Sequence, residues 1–175
     1  MTARDPSKTP LVGILMGSDS DLPVMSETVK TLDKFGVPYE VEVTSAHRSP
    51  NRTHEYACTA AARGLKVLIV GAGGASHLAG IIAAETTLPV IAVPIAATVL
   101  SGMDALLSTV QMPGGVPVAV MAIDKPGAIN AAIFATEIIA TAQPEYSAKL
   151  IRHKEELERT VAERSERVKK QLQSE

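Results

Sequence analysis

The feature that most constrains this chain is a fivefold alternation of short apolar runs with longer segments of helical spacing. Residues 11–16 (LVGILM) read as a buried strand. Leu22, Met25, Val29, Leu32 and Phe35 then recur at helical spacing over residues 21–35, and Gly36-Val37-Pro38 ends that helix. Residues 39–44 (YEVEVT) alternate and predict a strand with one less buried face. A second helix is expected over 50–63, opened by Pro50 in the first turn and closed by Gly64. Further strands are expected at 67–70, 90–93 and 116–123, with helices at 77–86, 103–110 and 127–142. Regular strand–helix alternation implies a parallel sheet with helices on both faces and right-handed crossovers. The expected fold class is therefore α/β, a three-layer α/β/α sandwich with a parallel, flavodoxin-like or Rossmann-like sheet.

Composition narrows the classes of function. The chain has 175 residues, 46% of them hydrophobic and only 3% aromatic, with no Trp. Its core must be built from Ala, Val, Ile and Leu, and its length fits one domain over 1–175. The α/β core is expected at about 11–142 and a C-terminal helical extension at 143–175. A net charge of −2 and a pI near 6.1 give no basic face for nucleic acid. One Cys excludes a disulfide within the chain and zinc sites built on cysteines, and suits a reducing compartment. No apolar stretch is long enough to span a bilayer, and the opening residues MTARDPSKTP lack an apolar leader segment. A soluble, cytoplasmic protein without membrane partners is expected.

The last segment differs from the rest. Residues 145–175 carry 15 charged side chains, 8 basic and 7 acidic. Leu150, Leu157, Val161, Val168 and Leu172 recur at spacings of 7, 4, 7 and 4, which predicts a long amphipathic helix with a narrow apolar stripe. At about 1.5 Å per residue such a helix spans about 42 Å. The globular body has an expected radius of gyration of about 16 Å. The helix must wrap the body, reach a neighbouring subunit, or stand in solvent.

In open parallel sheets, ligands bind beyond the C-terminal ends of the strands. Small, polar and ionisable residues gather there in this sequence. Gly17-Ser18-Asp19-Ser20-Asp21 follows the first strand and offers N–H groups and hydroxyls suited to a phosphate, with carboxylates suited to ribose hydroxyls. Ser20 or Asp21 capping the next helix would equally explain the segment. Ser45-Ala46-His47-Arg48 follows the second strand. Arg48 suits a phosphate through its planar fork of donors, and His47 suits proton transfer near neutral pH. Gly71-Ala72-Gly73-Gly74-Ala75-Ser76-His77 follows the third and allows close backbone approach to a ligand. His77 either contacts that ligand or simply opens the next helix. A small-residue loop, 95–98, follows the fourth strand.

Other chemistries find less support. Ser76 stands where a dinucleotide fingerprint needs its third Gly, and neither GxxxxGK[ST] nor GxSxG is present. His47 and His77 have no third ligand at a recognisable spacing, so no metal is expected. Cys58, in an Ala-rich helix, reads as a core residue. His54 and His153 read as solvated.

The segments GSDSD, SAHRSP, GAGGASHLAG, LPVIAVP and SGMDALLSTVQMPGGVPVAV occur in this order. Together they resemble the class I PurE family of N5-carboxyaminoimidazole ribonucleotide mutases, over residues 12–140. The resemblance implies a flavodoxin-like fold, a homo-octamer with sites at subunit contacts, and a nucleotide substrate handled with no metal or organic cofactor. It implies that Ser18 and Arg48 hold the phosphate and Asp21 the ribose. It further implies His47 as the general acid/base, with Ser45, Gly73, Gly74 and His77 lining the pocket for the migrating carboxyl group. Four residues depart from the family pattern: Ser76, Ala79, Ala92 and Val120 stand where Ala, Pro, Gly and Thr are usual, and they are expected beside the site. Three other readings remain. One is a class II-type carboxylase using free CO2. Another is a related carboxylase of a nicotinate-type nucleotide, which usually carries an extra N-terminal region. The third is a non-catalytic nucleotide-binding protein.

Overall fold

The computed structural model describes residues 9–173; the segment read above as a polar start, residues 1–8, lies outside them. The strands are β1 (Val12–Met16), β2 (Tyr39–Val43), β3 (Val67–Gly73), β4 (Val90–Ile95) and β5 (Ala119–Val120). The helices are α1 (Leu22–Phe35), α2 (Pro50–Ala60), α3 (Leu78–Glu85), α4 (Met103–Val110), α5 (Asp124–Ala140) and α6 (Pro144–Gln173). All strand pairs are parallel, in the order β2-β1-β3-β4-β5. That is the flavodoxin-like order, with a topological switch point between β1 and β3.

Each central strand is apolar on both sides because each side meets helices. Val12, Ile14 and Met16 of β1 pack with Ile69 and Ile91 against Met25, Leu32 and Phe35 of α1 and the alanines of α5. Leu15, Leu68 and Val70 point the other way, onto Ala57 and Ala60 of α2 and Leu78, Ala79 and Ile82 of α3. Small helix residues let α5 lie close to the sheet: Ala128, Ala131, Ala132 and Ala135 are all fully buried. α1 ends where Gly36 takes a left-handed conformation (φ 64°), and Lys149 Nζ donates to the Phe35 carbonyl at 2.5 Å.

Four strands differ from expectation, β4 by running on to Ile95 rather than ending at Val93. β3 runs to Gly73 rather than Val70, since a central position gives Ala72 and Gly73 partners in β4. β5 shrinks to two residues, because Pro117 lacks an N–H and an edge strand has only one neighbour. On β2, the other edge, Val41 and Val43 are the exposed residues. Its alternate glutamates are held instead: Glu40 by Arg63 and Tyr56, and Glu42 by Arg52.

α6 is the long helix the sequence predicts, about 45 Å at 1.5 Å per residue. Tyr146 and Leu150 bury against α1 and α5. His153 is not simply solvated, because its ring meets Phe35 edge-on at 5.4 Å, and Lys34 pairs with Glu156 at 2.8 Å. Beyond that point every described residue is exposed, including Leu157, Val161, Val168 and Leu172. Among the described residues, no helix is long and apolar enough to cross a membrane.

Candidate active site

The loops after β1, β2, β3 and β4 converge on one pocket of about 230 Å³ at the carboxyl edge of the sheet. Of the eight residues singled out from sequence, seven line it: Ser18, Asp21, Ser45, His47, Arg48, Gly73 and His77. Gly74 does not. It turns the chain with φ 60°, and a Cβ there would meet nothing closer than Thr98 Cγ2 at 4.0 Å.

The loop after β1 is a single turn of 3-10 helix, Asp19–Asp21. Ser18 caps that turn, while Asp21 stands at the N-cap of α1 as expected but makes no side-chain capping bond to it. The Ser18 side chain accepts from Ser20 N, while Asp21 Oδ2 accepts from Ser18 N at 3.0 Å. This reciprocal capping box leaves Asp21 95% covered. Burial pushes its carboxyl above the ordinary carboxylate range, opposed by the Ser18 and Gly17 N–H groups. The Ser18 and Ser20 hydroxyls lie 2.9 Å apart at the rim.

The loop after β2 is held by hydroxyls. Ser49 Oγ accepts from Ser45 N and donates to Ser45 O, and buried Thr44 shares a 2.8 Å hydrogen bond with Thr53 of α2. Arg48 then reaches back across the switch point, its Nη2 donating to Gly17 O at 3.0 Å and its Nε to Ser45 Oγ at 3.5 Å. A guanidinium has five N–H donors, so Arg48 keeps others for an anion. A second pocket, lined in part by Asp19, Thr44 and Ser49, shares Gly17, Ser18, Ser45 and Arg48 with the first.

His47 Nε2 lies 2.8 Å from His77 Nδ1, with the two rings perpendicular. One proton fits between those nitrogens, so one ring donates and the other accepts. His77 caps α3 at its N-terminus without a side-chain capping bond, leaving its imidazole for His47. No third metal-ligating group joins this pair among the described residues.

Ser20 and Ala97, outside the eight residues singled out, also line the pocket, and so does Ser76, the departure expected beside the site. Ala97 approaches Gly73 so closely that a Cβ on Gly73 would fall 2.5 Å from the Ala97 Cβ. Ser76, in a left-handed conformation (φ 36°), donates to Ala72 O and accepts from buried Thr109. Of the four departures, only Ser76 is at the site. Ala79, Ala92 and Val120 belong to the α3–sheet packing. Cys58 is exposed, not in the core: Thr53, Ala57 and Ala60 form the buried face of α2.

A parallel sheet of flavodoxin-like order, with hydroxyls, a guanidinium and paired imidazoles at its switch point, defines an α/β protein whose carboxyl edge offers groups able to hold an anion and exchange a proton. The chain belongs to the AIR carboxylase family, whose model matches residues 11–160. It is 55% identical over 162 residues to the N5-carboxyaminoimidazole ribonucleotide mutase of Pyrococcus horikoshii, covering 93% of this chain and 90% of that one. It is 49% identical over 170 residues to the phosphoribosylaminoimidazole carboxylase of Schizosaccharomyces pombe, covering 97% of this chain but 30% of that protein. The crystal structure of Treponema denticola PurE superposes with a TM-score of 0.79 at 27% identity, over 88% of this chain and 95% of that one. The resemblance seen in the SAHRSP and GAGGASHLAG segments thus extends to the whole fold.

Proposed function

We propose that this chain is an N5-carboxyaminoimidazole ribonucleotide mutase of purine biosynthesis, with His47 as its general acid/base. The 2.8 Å hydrogen bond between His47 and His77, in the pocket that Gly73 also lines, is the observation that carries the catalytic assignment. The mutase name belongs to a relative matched over 90% of its own length, whereas the carboxylase name belongs to a protein of which 30% is matched. That difference favours the mutase over the carboxylase reading.

Ser18, Ser20 and the free N–H groups of Arg48 hold the nucleotide phosphate, and Asp21 takes ribose hydroxyls. Protonated His47 delivers its proton to the carbamate nitrogen as the carbon–nitrogen bond breaks, releasing CO2. Gly73 leaves room for that CO2, and Ser45 and His77 border it. The ring carbon then attacks CO2, and His47 removes the ring proton, returning to its starting state. No cofactor enters this scheme. Excluding water keeps the CO2 from escaping.

Residues 11–142 form the catalytic unit and 143–175 an extension of the same domain. We further propose a cytoplasmic homo-oligomer, an octamer by family pattern. Val99, Leu100, Met103, Leu107 and Val110 form an exposed apolar face on α4 and the loop before it, with Val99 99% exposed. A second copy of the chain is the occupant that matches this face, since Ala97 in the same loop borders the pocket.

The test supplies substrate labelled in its carboxyl group within unlabelled bicarbonate. Labelled 4-carboxy product supports direct transfer. Unlabelled product favours the carboxylase, and nucleotide binding without turnover favours a binding protein. His47→Asn is expected to bind nucleotide and lose about 10²–10⁴ in turnover, the usual worth of a general acid/base.

A further inference from the structure

On the outer surface of α2 and α3, away from the pocket, His54, Cys58 and Glu85 bring three donor atoms within 4.8 Å of one another. His54 and Cys58 are four residues apart on one helix face, and Glu85 closes the cluster from the last turn of α3. The His54 Nδ1–Glu85 Oε2 distance is 3.0 Å. Cys58 Sγ is 3.7 Å from His54 Nδ1 and 3.7 Å from Glu85 Oε2. Zinc bonds of about 2.3 Å to sulfur and about 2.0–2.1 Å to nitrogen or oxygen, opened tetrahedrally, put sulfur about 3.6 Å from the other donors and nitrogen about 3.4 Å from oxygen. The three donor separations lie within about 0.4 Å of those values; the sulfur is also 3.7 Å from His54 Nε2, so the imidazole must rotate to aim one nitrogen at a shared ion.

We infer that His54, Cys58 and Glu85 form a surface site for a thiophilic divalent cation such as Zn2+, with water as the fourth ligand. Imidazole, thiolate and carboxylate are zinc's usual donors, and the set carries two negative charges against the ion's two positive ones. The ion would join α2 to α3, the helices that follow His47-Arg48 and His77.

The experiment uses the full chain, stripped of metal and titrated with Co2+ and Zn2+. Expected are one ion per chain, a thiolate-to-cobalt charge-transfer band, and a higher Tm with Zn2+. Cys58→Ser should abolish the band and, like His54→Ala and Glu85→Gln, weaken Zn2+ binding at least 10-fold. All three variants should keep mutase turnover, since these side chains lie outside the pocket. His47→Asn should retain the band. The inference is overturned if no charge-transfer band forms, or if Zn2+ affinity survives Cys58→Ser and falls in His47→Asn. The latter pattern would put the ion on the His47–His77 pair.

Discussion

Gly73 and Gly74 are adjacent, and the structure gives them different reasons to be glycine. A methyl group on Gly73 would lie 2.5 Å from the Ala97 Cβ and 3.0 Å from the Ile95 carbonyl oxygen. Carbon atoms rest at about 3.5–4.0 Å, so the two loops would have to part by about 1–1.5 Å. Overpacking of this kind costs about 1–3 kcal/mol, or roughly 2–12 °C in Tm for a chain of this size. The larger effect is on rate, because a displacement of about 1 Å at a reacting centre costs about 100-fold. Gly73→Ala is thus expected to stay folded, bind nucleotide within a few fold of wild type, and lose about two decades of kcat. In Gly74→Ala the new methyl group meets only Thr98 Cγ2, at an unstrained 4.0 Å, with φ at 60°. That variant should lose about 1–2 kcal/mol of stability from the left-handed backbone and keep most of its kcat. Turnover by product absorbance, affinity by calorimetry and Tm by scanning fluorimetry separate the two. Wild-type turnover in Gly73→Ala, or equal kcat losses in both variants, would refute the assignment of Gly73 to the carboxyl pocket.

Arg48→Lys keeps the charge but loses the fork that reaches Gly17 O. With charge-assisted hydrogen bonds worth about 1.5–3 kcal/mol, KM for the nucleotide should rise about 10- to 150-fold with kcat less affected. Asp21 has a folded-state pKa raised above 3.8, so its contribution to stability is fullest below that value and is lost as pH rises through the raised one. Asp21→Asn can still accept from Ser18 N. It should therefore be at least as stable as wild type at pH 7 and lose that advantage in acid, as Tm against pH would show, while nucleotide affinity falls. Leu107→Glu, placed on the exposed face of α4, should shift the native mass toward smaller species, and an unchanged oligomer would count against that face as an interface.

The sheet and its functional edge were legible because both leave periodic traces. Apolar runs marked the strands, and polar residues followed the first three of them on one edge. What escaped the sequence depends on context that periodicity does not carry. The glycines ending β3 look like loop, yet a strand between two partners continues through them. The run 116–123 looks like strand, yet Pro117 at an edge leaves a ladder of two residues. Cys58 was misplaced because Ala57, Ala60, Ala61 and Ala62 crowd this stretch with small apolar residues that hide its phase. Its buried line is Thr53, Ala57 and Ala60, and Cys58 lies about 100° round from Ala57 at 3.6 residues per turn. His153 follows Leu150 by three residues, which brings it back over the same face and onto Phe35. The His54–Cys58–Glu85 cluster left no trace, since Glu85 is 27 residues from Cys58 and joins it only through helix packing.

The loop between β4 and α4 ties the proposed chemistry to the proposed assembly. At one end Ala97 stands against Gly73 and borders the pocket. Two residues later Val99 is fully exposed, and Leu100, Met103, Leu107 and Val110 continue the apolar face. The loop is fixed in place. Ala96 N donates to Asp124 Oδ1 at 2.9 Å, Thr98 Oγ1 donates to Asp104 Oδ2 at 2.6 Å, and Ser101 and Gly102 both hold positive φ. A non-glycine residue is held in that region only when its surroundings over-determine it. Burial of Val99 and its neighbours against a second copy would therefore press on a segment with little freedom to yield. The wall beside Gly73 would take up that constraint, and a tightly walled pocket is what retention of free CO2 between bond breaking and bond making demands.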